Sequence, residues 1–142
     1  MIAAGRYDWK NDDITAKRFP ITGVDQVEFE GKLFHFNRDI SSDDAERQIK
    51  ADDPANPWDP SKIEHLLSFG EKFPEEQRKY PIVGLGSVAE VSGDHRVPCL
   101  VGSDSERGIN LRWRVGDWGA RCRFLAVRLP AGKAGMPAGR QA

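Results

Sequence analysis

The chain has 142 residues, the length of one domain, and an ordinary soluble composition: 30% charged residues, 39% hydrophobic residues and a formal net charge of -1. A net charge this close to zero argues against a nucleic-acid partner, and no apolar run approaches the ~20 residues needed to span a membrane. The first six residues turn polar too early for a signal peptide. We therefore expect a cytoplasmic protein with neither a nucleic-acid nor a membrane partner.

The first half of the chain is predicted to supply a strand region and two helices. Residues 27–36 are rich in aromatic and β-branched side chains, which favours a strand pair or one bent strand. Ser41 and the residues after it supply caps and early acids, so a helix is predicted to run to about Lys50. Three prolines then indicate a rigid loop over 52–60.

A second helix is predicted to begin directly after this loop. Asp59 is placed as its cap, Pro60 in its first turn, and Ser61 with Glu64 as a capping box. Apolar residues recur near helical spacing until Phe73, whose proline neighbour disfavours further helix.

The second half has the texture of an antiparallel meander, with strands predicted at 80–91, 97–101, 109–115 and 123–129. The tail, 130–142, is rich in Pro, Ala and Gly without apolar periodicity, and we expect it to be disordered. These patterns predict one α+β domain over 1–129.

The strand at 109–115 alternates between apolar and polar residues. Because successive side chains of a strand point to opposite faces, one face is predicted to be core: Ile109, Leu111, Trp113 and Val115. The other face would present Asn110, Arg112 and Arg114 to solvent. The alternation alone is more typical of a solvated sheet face carrying scattered charge.

Catalytic and metal-binding patterns are not found. Cys99 and Cys122 are too far apart for a CxxC motif, and the three histidines have no ligand-like spacing. Ser87 and Ser92 lie near a histidine without the third group that a nucleophile requires. We therefore predict no enzyme activity, no metal and no cofactor.

Four segments, 75–87, 96–100, 110–113 and 117–128, carry a family resemblance, most specifically the closing Arg-Phe-Leu-Ala-Val-Arg strand preceded by Asp-Trp. Together they resemble the variable (target) proteins of diversity-generating retroelements, whose fold is C-type-lectin-like. In that family a reverse transcriptase rewrites adenines in one short coding region. The scaffold then displays the resulting hypervariable side chains as a ligand-binding surface.

The resemblance implies two helices flanking a twisted antiparallel sheet, and one contiguous, open patch that binds a macromolecular ligand, which we expect to be a protein. The loop motifs of calcium-dependent lectins are absent, so calcium and sugar binding are not implied. The residues assigned to the patch are Ser103, Asp104, Ser105, Asn110, Arg112, Arg114, Asp117, Trp118 and Arg121.

Two other classes of function stay open from the sequence. The fold also resembles that of sulfatase-modifying enzymes, in which case Cys99 or Cys122 would need a thiol of lowered pKa. A nucleic-acid-binding domain would instead use four C-terminal arginines, namely Arg112, Arg114, Arg121 and Arg123.

Overall fold

The computed structural model describes residues 6–19 and 29–130. The start of the predicted 27–36 strand region and all but the first residue of the predicted 130–142 tail lie outside the described residues. The helices are α1 (Ser42–Ala51), α2 (Ile63–Lys72) and α3 (Glu76–Lys79). The strands are β1 (Trp9–Lys10), β2 (Glu30–Phe34), β3 (Ile40–Ser41), β4 (Asp59–Pro60), β5 (Ile82–Val83), β6 (Ala89–Val91), β7 (Asp94–Gly102), β8 (Arg107–Trp113), β9 (Asp117–Trp118) and β10 (Arg123–Arg128).

Eight of these strands form one mixed sheet, in the order β1-β8-β7-β5-β10-β2, with β4 beside β10 and β6 beside β7. The strands β3 and β9 form a second, two-stranded sheet. The α+β class is confirmed. The predicted all-antiparallel pairing is wrong, because β1 runs parallel to β8 and β5 runs parallel to β10. The predicted count of two helices is also wrong, since the described residues hold three.

Apolar side chains cover both faces of the large sheet. Neighbouring residues of one strand belong to different clusters, as Cys99 and Leu100 do, because strand side chains alternate between faces. Ala45 and Ile49 of α1 join the cluster on one face, and Leu66 and other residues of α2 join the cluster on the other. The sheet therefore lies between two apolar layers, which explains why its central strands are nearly continuous in hydrophobic residues.

The start of α1 agrees with its sequence pattern. The Ser41 hydroxyl accepts a hydrogen bond from the backbone N–H of Asp44 at 3.1 Å, which satisfies one of the unpaired donors of the first turn. The buried Ala45 and Ile49 then anchor the helix to the sheet.

The start of α2 differs from its sequence pattern. Asp59 and Pro60 are extended and pair with β10, and the N–H of Ser61 bonds to the carbonyl of Leu125. Pairing with a neighbouring strand therefore delays the helix to Ile63, whose N–H is capped by the Ser87 hydroxyl at 2.8 Å. The predicted cap at Asp59 is wrong for this reason.

No helix among the described residues combines the length and the apolar character that crossing a membrane requires.

Candidate ligand-binding groove

The strand β8 carries most of the predicted site and is positioned by its long pairing with β7. Seven residue pairs join the two strands, from Gly102 with Arg107 to Arg96 with Trp113. The ladder continues one step further, where the N–H of Arg114 donates to the carbonyl of His95 at 3.0 Å. Because hydrogen-bonded and non-bonded pairs alternate in an antiparallel ladder, the N–H and C=O groups of Leu111 and Trp113 point away from β7.

A groove of about 420 Å³ lies beside the last residues of β8. Its walls come from β8 itself and from the segment that follows and folds back over the α1 face. The lining residues are Leu111, Arg112, Trp113, Val115, Asp117, Trp118, Gly119 and Cys122. Side chains from both faces of β8 reach the groove, so it runs along the edge of the strand.

Trp113 and Val115 are exposed at the groove, contrary to the prediction that they belong to the core. Ile109 and Leu111 are 0% and 4% exposed, whereas Trp113 is 58% and Val115 79% exposed. The alternation of β8 is as predicted, but its end extends past the layer that covers its first half. The guanidinium of Arg96 lies 5.9 Å from the centre of the Trp113 ring and borders the indole on the sheet side.

Trp118, which the sequence assigned to the open patch, is buried and forms part of the floor of the groove. It is 5% exposed, and its indole N–H donates to the Ser42 hydroxyl at 2.9 Å. Ser42 in turn donates to the carbonyl of Arg114 at 2.7 Å. Pairing of β9 with β3 turns this side chain inward, where its ring meets Phe124 edge-on at 6.0 Å. These contacts fix the position of Trp118, which therefore supports the floor of the groove.

The arginines of the predicted patch have different surroundings. Arg114 forms ion pairs with Asp43 and Glu46 of α1, at 2.9 and 3.0 Å. Arg121 donates to the carbonyl of Lys79 at 2.6 Å. Arg112 is exposed, and no hydrogen bond or ion pair to its guanidinium occurs among the residues that the structure describes.

The remaining predicted residues lie away from the groove. Ser103, Asp104 and Ser105 form the turn at the opposite end of β8, and the six steps of that strand span roughly 20 Å. Arg78 of α3 donates to the carbonyls of Ser103 and Asp104. Asn110 is half-buried and accepts hydrogen bonds from the Asn11 amide and from the N–H of Leu111. Of the nine predicted residues, the groove brings together Arg112, Asp117 and Trp118.

No protein-family model, no curated protein and no solved structure matches this chain.

The two cysteines belong to the same core cluster on the α1 face, and Cys122 also lines the groove. Cys99 is fully buried, and this burial raises the pKa of its thiol to about 12. Burial also raises the pKa of the Cys122 thiol, which lines the groove. Both side chains are therefore protonated at neutral pH and are weak nucleophiles.

Metal-binding clusters are not found either: across 6–19 and 29–130, no three His, Cys, Asp or Glu side chains gather as a metal site requires.

Five lining residues were missed by the sequence reasoning: Leu111, Trp113, Val115, Gly119 and Cys122. The available signal was the position of Trp113 and Val115 at the end of a strand, directly before the positive-φ turn at Gly116. A side chain at a strand end can lie beyond the covering layer even when its alternation assigns it to the core face.

Proposed function

We propose that the chain is a ligand-binding variable protein, in which a C-type-lectin-like scaffold displays diversified side chains around the groove and binds a protein partner. The observation that carries the proposal is the grouping of exposed Trp113 and Val115 with exposed Arg112 at one open groove. Tryptophan and arginine dominate the energetically important positions of protein interfaces.

The lining of the groove suits a display surface because it consists of buried residues that stabilise the fold and exposed residues that can contact a ligand. Trp118 and Cys122 are buried and pack into the core on the α1 face, so they fix the floor. Arg112, Trp113, Val115, Asp117 and Gly119 are exposed and can change without altering that packing. Exposed apolar side chains grouped in this way are typical of interaction sites.

The two other classes of function have less support. A thiol-dependent enzyme needs a cysteine of lowered pKa, whereas burial raises the pKa of both Cys99 and Cys122. A nucleic-acid-binding domain needs several unpaired arginines on one surface, and Arg114 is paired with two carboxylates while Arg123 stacks at 4.0 Å from the Tyr80 ring.

The display function is tested with a library in which the five exposed groove residues are randomised: Arg112, Trp113, Val115, Asp117 and Gly119. The library is displayed on yeast and selected against serum albumin, which serves as an unrelated folded probe. We expect most members to fold and some to acquire micromolar or tighter affinity. The matched control library randomises five exposed residues around the end of α1: Arg47, Lys50, Ala51, Pro54 and Ala55. Equal yields of binders from both libraries, or general unfolding of the groove library, would contradict the proposal.

The retroelement origin is tested separately in the DNA beside the gene. We expect a reverse transcriptase gene and a near-copy of the coding segment for 101–123 whose differences from the gene fall at adenines. A neighbourhood without either would remove the retroelement part of the proposal and leave the binding part to the library test.

A further inference from the structure

We infer that the partner of the groove binds as an extended segment that adds to the free edge of β8 and places one acidic side chain opposite Arg112. This inference rests on the proposed function, because it names how the partner of that groove is held.

The edge of β8 is covered by β1 over only part of its length. β1 pairs in parallel with Gly108 and Ile109, and the last bond of this pairing runs from the N–H of Asn11 to the carbonyl of Ile109 at 2.8 Å. The chain then turns, as the N–H of Ile14 bonds back to the carbonyl of Asn11. Beyond Ile109, no other strand among the described residues pairs with this edge.

A side-chain clamp marks the point where the pairing with β1 stops. The Asn110 side-chain oxygen accepts from the N–H of Leu111 at 2.8 Å and from the Asn11 amide at 3.1 Å. Three outward backbone groups then follow along the groove: the carbonyl of Leu111 and the N–H and carbonyl of Trp113. Unpaired groups of this kind at a sheet edge are a template for another strand.

An antiparallel segment would satisfy all three groups. Its residue opposite Trp113 would exchange two hydrogen bonds with that residue, and its residue opposite Leu111 would donate a third to the Leu111 carbonyl. The backbone would therefore supply affinity whatever the side chains of the groove are. These backbone hydrogen bonds would remain available even if the side chains of the groove vary.

The intervening residue of the segment determines the charge preference. Directly opposed residues of paired strands point to the same face, so this residue lies beside Arg112. Arg112 lacks an ion pair within the described part of the chain, whereas Arg114, two residues on, is neutralised by Asp43 and Glu46. A carboxylate opposite Arg112 would therefore form a charge-assisted hydrogen bond.

The neighbouring residues of the segment point to the other face, beside Leu111 and Trp113, and should be apolar. Asp117, an exposed carboxylate of the groove, disfavours a second acid. The preferred segment thus has the pattern apolar, acidic, apolar.

The inference is tested by selecting random peptides of about eight residues, a length that covers a typical strand, on the immobilised full chain. We expect the enriched peptides to share the apolar, acidic, apolar pattern. A selected peptide is then measured by titration calorimetry against Trp113→Ala and Trp113→Pro. Both variants lose the indole, but only Trp113→Pro loses the outward N–H, and proline is tolerated where an edge N–H faces solvent. We expect Trp113→Pro to bind about tenfold more weakly than Trp113→Ala.

Charge exchange tests the position of the acidic residue independently. The variant Arg112→Glu should lose affinity for the selected peptide and recover it when the peptide's acidic residue is replaced by lysine. In hydrogen exchange, the amide of Trp113 should be protected by the peptide, and thermal melts should verify that all three variants are folded.

Failure of this inference is distinguishable from failure of the proposed function. Equal affinities for Trp113→Ala and Trp113→Pro, no enrichment of peptides, or no recovery with Arg112→Glu would each overturn the strand-addition inference. The library selected on serum albumin could still yield binders through side chains alone, and the display function would then stand. If Trp113→Pro fails to fold, protection of the Trp113 amide in the unmodified chain decides the question.

Discussion

An arginine lies near each end of β8, and the two differ in burial and in hydrogen bonding. Arg107 is 4% exposed and donates to the carbonyls of Gly70 and Pro74 and to the side-chain oxygen of Gln77, at 2.8–3.0 Å. Arg112 is exposed and has no such contacts among the described residues. A guanidinium thus stabilises the frame, meaning the buried residues of the helices and the sheet, where oxygen atoms of α2, α3 and their connection converge on it. Where no such acceptors surround it, the guanidinium stays available for a ligand.

Trp113 and Trp118 repeat the contrast at the groove. Trp118 is buried, with its N–H satisfied by Ser42, whereas Trp113 is more than half exposed. Residue type alone therefore does not indicate whether a side chain is buried in the core or exposed at the surface. The difference follows from where each strand lies relative to the layers that cover the sheet.

The largest expected effect is that of removing the buried tryptophan. Trp118→Ala should lower the free energy of unfolding by about 3–5 kcal/mol, because it leaves a cavity between α1 and the sheet. Trp113→Ala should change it by no more than about 0.5 kcal/mol, as an exposed side chain does. Urea unfolding followed by circular dichroism measures both. Similar losses for the two variants would mean that the contrast between the tryptophans is wrong.

Removing the buried arginine should come next in size. Arg107→Ala should cost about 3 kcal/mol, since each buried acceptor left without a donor costs about 1 kcal/mol or more. Arg107→Lys should recover little of this loss, because an ammonium group cannot reach the same set of acceptors as the planar guanidinium. Arg112→Ala is the matched control and should unfold at the same urea concentration as the unmodified chain. A stable Arg107→Ala variant would show that the convergence of carbonyls on Arg107 contributes nothing.

Local sequence patterns predicted those helices and strands whose formation depends on interactions between residues close in sequence. The helix start at Ser41 follows from its hydroxyl and the acids behind it, and the α+β class follows from helices ahead of a run of strands. The strands at 97–101 and 123–129 lie within or nearly within β7 and β10. Each of these depends on capping, periodicity or β-branched content within a few residues.

Contacts between distant segments decided what the sequence did not predict. Asp59 and Pro60 form a strand because β10 lies beside them, and Trp113 is exposed because no layer covers the end of β8. Arg107 gave no signal of burial in the sequence, as its acceptors come from α2, α3 and their connection. The nine predicted site residues were spread over both ends of β8, and sequence proximity could not reveal which end has the groove.

The smallest expected effect is a pH dependence of the unfolding free energy that peptide binding at the groove does not share. In the folded chain, His65 accepts a hydrogen bond at Nδ1 from the N–H of Lys62 at 2.9 Å, and its ring meets Phe29 edge-on at 4.7 Å. Burial lowers the pKa of His65, with smaller opposing or reinforcing effects from the nearby charges of Glu64, Lys62 and Asp59. The unfolded chain, with a histidine pKa near 6.5, therefore binds more protons than the folded chain as the pH falls through that value.

Stability contributed by neutral His65 is thus present above about pH 6.5 and is lost below it. The loss should be about 1 kcal/mol, the contribution of one hydrogen bond, because protonation removes the acceptor at Nδ1. His65→Asn keeps an acceptor that does not titrate, so its unfolding free energy should fall less between about pH 7.5 and 5.5, above the range where most carboxylates titrate. His35 and His95 are present in both chains and cancel in the comparison. Peptide binding at the groove should stay constant over the same range, because none of the residues that line the groove is a histidine. Parallel pH profiles for the two chains would remove His65 as the cause, and a binding affinity that falls with the unfolding free energy would show that groove and frame are not separate.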